Sequence, residues 1–345
     1  MTYGLGKRLG SRAWERRDIR APVRRAPHPG VCIRLAALVL SPARHSRSST
    51  RRIAIVTATS PAPPKPFVLC ADDYALSPGV SSAIRDLIDR DRLSATSCMT
   101  LTPFWRDHAT WLTPYADKAD LGLHVTLTDH PPLGGMPRTA PGGRLPPLNT
   151  LMRLALTRQL DAAEIDAEVN RQIDAFESAL GRTPAFIDGH QHVHQLPIVR
   201  SAVIRAIETR LKGSPTYLRL CHDEITKIST RGIAIPKTIL ISILSGGLRK
   251  LARRHTIVTN RGFRGVYDFS DRIPFGTLMD RFVEDLPDTR VGTGLIMCHP
   301  GIPDEALRAV DPVVDQRRVE YDWLGGHGLP ALLAKRNLRL SKLMA

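Results

Sequence analysis

The chain has 345 residues, 42% of them apolar, and a formal net charge of +16. That apolar share is ample for a core and excludes a wholly disordered chain. The charge first suggests a polyanion-binding protein, but residues 1–65 hold 14 Lys/Arg against two acids, or +12, leaving +4 for the other 280 residues. Nucleic acid is therefore not an expected partner.

Residues 1–65 are rich in Arg, Pro and Ser and show no helical or strand period. They read as a basic, disordered extension, with a start codon placed too early or a targeting peptide as alternatives. Its apolar stretch Cys32–Leu40 is too short to span a bilayer. No transmembrane segment is expected after residue 65. Five cysteines at 32, 70, 98, 221 and 298 form no C-x-x-C pair. Such a set predicts reduced thiols in a cytoplasmic protein. The sequence carries no signal of oligomeric state.

From residue 67 short strands alternate with amphipathic helices. Phe67–Ala71 is the first predicted strand, and Ser77-Pro78 then supplies a helix cap and a first-turn proline. Val80, Ile84, Leu87 and Ile88 follow at helical spacing. Strands are predicted at Thr96–Leu101 and Leu121–Leu127, with a helix around Trp105–Tyr115 between them. Residues 128–150 are rich in Pro and Gly and read as a long functional loop. Ala162–Leu180 is a helix with Ile165, Val169, Ile173, Phe176 and Leu180 on one stripe. Ala185–Asp188 is a strand, Ile198–Leu211 a helix, Thr216–Leu220 a strand and Ile235–Leu251 an apolar helix. Phe275–Leu286 is a helix, Gly294–Cys298 a strand, and the chain from Gln316 onward is mostly helical.

Six or more such alternations predict a parallel sheet with helical crossovers. Asp72-Asp73, His124, His190 and His299 all fall just past the ends of predicted strands that are far apart in sequence. That pattern fits the top face of a distorted (β/α) TIM-like barrel, irregular and with fewer than eight strands. No G-x-G-x-x-G turn supports a dinucleotide fold. Residues 66–345 form the predicted catalytic domain.

A catalytic cation site needs about three protein ligands and an open position. A carboxylate and two imidazoles supply such ligands, a second carboxylate can accept a proton from water, and another imidazole can protonate a leaving amine. Each element has an ordinary structural alternative. The Asp pair could cap a helix, His124 could be a strand histidine, and His299 could sit in a turn. His190, His192 and His194, at spacing two, would share one side of an extended segment, and spacing alone does not choose among them as ligands. His108, His130, His222, His255 and His327 read as surface or packing residues, and Arg317-Arg318 as a solvated helix face.

Three segments together resemble a known family. Cys70-Ala71-Asp72-Asp73-Tyr74-Ala75-Leu76-Ser77, Gly122-Leu123-His124-Val125-Thr126-Leu127-Thr128 and Asp188-Gly189-His190-Gln191-His192-Val193-His194 are similar to motifs of the YdjC-like carbohydrate deacetylases, the ChbG/HpnK group related to polysaccharide deacetylases. The resemblance covers roughly residues 66–325. It implies a distorted barrel that uses one divalent metal to remove acetyl groups from N-acetylated amino sugars. By position it implies Asp73, His124 and His190 as metal ligands, and by analogy with the wider deacetylase superfamily Asp72 as general base and His299 as general acid; His192 and His194 are expected to bind substrate or support the ligands. Zinc or magnesium is the expected ion, with manganese, cobalt and nickel as alternatives. The expected partner is a small carbohydrate or a glycolipid. Rival readings are another metallohydrolase, such as a phosphoesterase or an amidohydrolase-like enzyme, and a non-catalytic sugar-binding protein. The family usually has Phe-Gly where this chain has Tyr74-Ala75, so a positive φ there would strain Ala75.

Overall fold

The computed structural model describes residues 62–287 and 292–344. Expectations about residues 1–61 lie outside the described residues. Eight strands form one curled sheet: β1 (Lys65–Tyr74), β2 (Ala95–Cys98), β3 (Asp120–Val125), β4 (Phe186–Gly189), β5 (Tyr217–Leu218), β6 (Phe263–Arg264), β7 (Gly294–Cys298) and β8 (Leu338–Leu340). Their order is β5-β4-β3-β2-β1-β7-β6, with β8 against the start of β1, and every pair is parallel. Leu218 at the β5 edge also bridges Thr259, four residues before β6 begins. The segment leading into β6 thus joins the two ends of the sheet, and the result is the expected distorted TIM-like barrel, with eight strands among the described residues rather than fewer, because β8 adds to the start of β1.

Near-continuous apolar strands follow from burial on both faces. Val68, Leu69 and Cys70 of β1 are fully buried, as are Leu295 and Ile296 of β7. Gly122 in β3 has a steric role, because a Cβ there would lie 2.3 Å from the Phe186 ring. Ser77 caps helix Pro78–Asp89 by accepting from Val80 N at 3.2 Å. Helix Ala162–Leu180 has the predicted bounds and buries Ile165, Val169, Ile173 and Phe176.

The same helix pins the long loop. Glu164, Glu168 and Gln172 recur every fourth residue and so share one face. Glu164 accepts from Arg138 N and Thr139 N, Glu168 from Leu133 N, and Gln172 from Thr126 N. Residues 126–147 contain no helix or strand, yet Met136, Ala140 and Leu145 among them are buried. Capture by the helix side chains satisfies backbone that no ladder serves.

The strands differ from expectation mainly at their ends. Lys65, set apart in sequence with the basic segment, opens β1 and pairs with Leu338. His124 lies within β3 rather than past it, and the Asp pair lies within β1. Several short elements escape periodicity: β6, β8, and helices Leu148–Leu156, Ile225–Arg231 and Glu305–Val310.

β1 does not end as a regular strand. Its register against β2 shifts between Ala71 and Tyr74, and Asp73 and Ala75 both take positive φ, at 68° and 73°. Successive side chains of a flat strand point to opposite faces, so this irregularity lets both carboxylates face one buried cluster, Asp73 towards His124, His190 and Arg317 and Asp72 towards Arg219 and His299. Ala75 is held by its neighbours: its N–H donates to Ser81 Oγ at 3.0 Å and its carbonyl accepts from Thr102 Oγ1 at 2.7 Å. An L-residue pays roughly 1–2 kcal/mol in this region, partly offset by the extra chain entropy of glycine. Ala75→Gly should therefore raise unfolding stability by about 0.5–1 kcal/mol, measured by urea denaturation. A loss of stability would contradict the strain.

Candidate metal and active site

Asp73, His124 and His190 come from β1, β3 and the turn after β4, and their donor atoms lie within 4.8 Å of one another. Asp73 Oδ1 is 3.3 Å from His124 Nε2 and 2.9 Å from His190 Nδ1. Asp73 Oδ2 accepts instead from Arg317 Nη2 at 2.7 Å. One carboxylate oxygen thus faces the imidazoles and the other is fixed by a guanidinium. Burial pushes the Asp73 carboxyl up, but Arg317 and His190 outweigh it and hold Asp73 well below the usual carboxylate range.

Arg317 was expected on a solvated helix face, and the structure corrects this. It is 2% exposed and joins Asp73 to Asp311, whereas its neighbour Arg318 remains exposed and pairs with Asp322 on the same helix.

His124 Nδ1 lies 2.6 Å from Asp188 Oδ1, and Asp188 also accepts from Ser97 Oγ. A carboxylate on the far nitrogen is the usual device for aiming an imidazole at a cation. Burial disfavours charge on His124, yet Asp188 and the Asp72 and Asp73 carboxylates push it up to about 10. The donor set therefore fits a divalent ion: a charged carboxylate oxygen and two imidazoles, one aimed by a second carboxylate.

Asp72 has a different surrounding. Arg219 Nη1 and Nη2 donate to its two oxygens at 2.6 and 2.9 Å, and Nη1 also lies 2.7 Å from Asp188 Oδ2. All three side chains are buried. Cys70, Asp72 and Asp188 also lie close enough to form a second donor cluster, but the Arg219 guanidinium already bridges its two carboxylates. His299 Nε2 stands 3.9 Å from Asp72 Oδ2. Burial lowers the His299 imidazole to about 4 despite the pull of Asp73 and Asp72. The resting ring is neutral at pH 7.

The histidine run is not extended. Gln191 and His192 take φ of 51° and 61°, and residues 190–195 form a tight turn. The expectation that His190, His192 and His194 share one side is therefore overturned; of the three, only His190 contacts Asp73. His192 lies against Cys221 and the Phe263 ring. His194 is fully buried and donates from Nε2 to the Arg219 carbonyl at 3.0 Å, bracing the strand that carries Arg219.

Sequence reasoning missed several residues. Arg219 sits inside the apolar run Tyr217-Leu218-Arg219-Leu220-Cys221; a strand arginine bounded by apolar residues must find buried carboxylates. Glu320 accepts from His299 N at 2.6 Å and from Tyr267 Oη, and burial raises its carboxyl to about 7. His130 is buried, with its ring 6.4 Å from that of His190. The four described cysteines, Cys70, Cys98, Cys221 and Cys298, are free and buried, whereas Cys32 lies outside the described residues.

Two measurements test this geometry. Arg219→Met leaves Asp72 and Asp188 without their cation and should cost about 3–5 kcal/mol of stability; a change within experimental error would mean the network is not neutralised this way. For His194, burial lowers the imidazole from 6.5 to about 4. The unfolded chain then binds the proton first, so stability falls as pH drops through that window, by on the order of 3 kcal/mol. His124 acts oppositely: its contribution is complete below 6.5 and is lost as pH rises towards 10. His194→Gln should flatten the acid limb in urea titrations; an unchanged limb would refute the assignment.

A family model described as YdjC-like protein matches residues 66–335. Chitooligosaccharide deacetylases of Serratia marcescens and Yersinia pestis bv. Antiqua (strain Angola) are each 27% identical, over 278 and 281 residues. These alignments cover 80% and 81% of this chain, and 97% and 98% of those proteins. A solved structure from Enterococcus faecalis V583 superposes with a TM-score of 0.60 at 19% identity, covering 81% of this chain and 98% of that one. Among the described residues no helix is long and apolar enough to cross a membrane. With its three motifs meeting in one cluster and a family match over most of its length, the chain belongs to the YdjC-like protein family.

Proposed function

We propose that this chain is a metal-dependent hydrolase that removes the N-acetyl group from an acetylated amino sugar. The observation that carries the reading is the convergence of Asp73, His124 and His190 beside the Asp72–His299 pair. The names of its chitooligosaccharide deacetylase relatives support the same chemistry.

Asp73, His124 and His190 would hold the ion. Two imidazoles and one carboxylate suit zinc, with magnesium, manganese, cobalt and nickel as alternatives. When bound, the ion supplies Lewis acidity, polarising the acetamide carbonyl and acidifying water.

The protein's own groups manage the protons. Arg219 holds Asp72 by both oxygens, fixing the carboxylate as the acceptor for the proton of the attacking water. The water oxygen bonds to the carbonyl carbon. His299, neutral at rest, has its Nε2 close enough to Asp72 to receive that proton after a small movement. It then donates the proton to the sugar nitrogen as the C–N bond breaks. The products are acetate and the free amine, and no further co-reactant is required. Glu320 anchors the backbone N–H of His299 and so fixes the acid at the end of β7.

Asp73→Asn and His124→Ala should lose bound metal and acetate release together. Asp72→Asn should retain metal while turnover on an N-acetylglucosamine oligosaccharide falls about 10²–10⁴-fold. Metal content and acetate are measured for each variant. Wild-type turnover in Asp72→Asn would remove that residue from the base role, and release of phosphate but not acetate from a mixed substrate panel would sink the deacetylase reading.

A further inference from the structure

Helix Ile235–Arg254 carries an exposed face that the proposed chemistry does not use. It contains no acidic residue. At 100° per residue, Leu240, Ile243, Lys250 and Arg254 share one side. Ile243 is 63% exposed and Leu240 49%, and Ile243 exceeds the other exposed large apolar residues of the described chain.

The C-terminal half of this face is cationic. Lys250 lies two helical turns beyond Ile243, about 10 Å along the axis. Arg200 reaches across from the neighbouring helix, with Nη1 only 2.1 Å from where a Gly247 Cβ would stand. It shares a cavity of about 320 Å³ with Arg158. None of Arg158, Arg200, Lys250 and Arg254 has an ion-pair partner among the described residues. The nearby acids are engaged elsewhere: Glu208 with His255, Asp166 with Arg205, and Glu224 with Lys227.

The helix begins beside the candidate active site. Lys237 Nζ donates to the Tyr267 carbonyl at 3.0 Å and lies 5.1 Å from the Phe269 ring centroid, and that ring stands 5.1 Å from the His299 ring.

We propose that this face docks on an anionic lipid surface. Leu240 and Ile243 enter the headgroup–acyl boundary, while Arg200, Lys250 and Arg254 meet lipid phosphates. A second copy pairing through the same face offers no countercharge, since that helix carries no carboxylate. A soluble polyanion would leave the apolar pair in water. A lipid interface serves both halves.

The test is sedimentation of the full chain with phosphatidylcholine vesicles, with and without phosphatidylglycerol. Residues 1–65 carry +12 in every protein compared, so differences between variants report the helix. The double variants Leu240→Ser with Ile243→Ser, and Lys250→Glu with Arg254→Glu, should each weaken binding to the anionic vesicles by at least about tenfold, with melting temperature unchanged. Unchanged vesicle binding in either double variant overturns the proposal. So does a micromolar dimer that the serine pair dissociates, which would assign the face to a second copy.

Discussion

Three strands meet at a single buried guanidinium. Arg219, just after β5, lies between Asp72 of β1 and Asp188 of β4, and none of the three side chains is more than 2% exposed. Unpaired buried charges would cost several kcal/mol each, so the strands that carry these groups must close on one another. The same contact sets the chemistry. Asp188, held by Arg219, aims His124; Asp72, held by the same cation, faces His299. Arg317 repeats the arrangement on the other side by fixing the second oxygen of Asp73. The candidate site is thus three carboxylates anchored by two guanidinium groups, with their imidazole partners, built into the end of the barrel.

Backbone strain at the end of β1 completes the arrangement. Asp73 and Ala75 both occupy the left-handed region, and the break in register brings two successive carboxylates into one buried cluster, each with its own guanidinium. Such strain persists where the surroundings over-determine it. Here Ser81 and Thr102 grip the Ala75 peptide groups, while two imidazoles and a guanidinium grip Asp73.

Much of this was legible in the residues. Strand–helix alternation gave the parallel sheet, the polar residues near strand ends chose the barrel, the stripe from Ile165 to Phe176 located its helix to the residue, and three motifs named Asp73, His124 and His190 as candidates, which the fold brings together. What escaped the sequence is physically coherent. Arg219 and Arg317 become site residues only when strands and helices far apart in the chain bring carboxylates to them; locally Arg317 looks like its exposed neighbour Arg318. The histidine run misled because period-two spacing implies an extended chain, and only the left-handed Gln191 and His192 show the turn. Strands of two or three residues, such as β6 and β8, are too short to carry a period.

The central claim is that Asp73, His124 and His190 grip one ion. The most direct measurement is anomalous diffraction at the zinc edge from crystals of the full chain equilibrated with zinc. The account predicts one strong peak bound to all three residues, with zinc–nitrogen distances of about 2.0–2.1 Å. A peak bound elsewhere, or none between those side chains at full occupancy of zinc in solution, would contradict it.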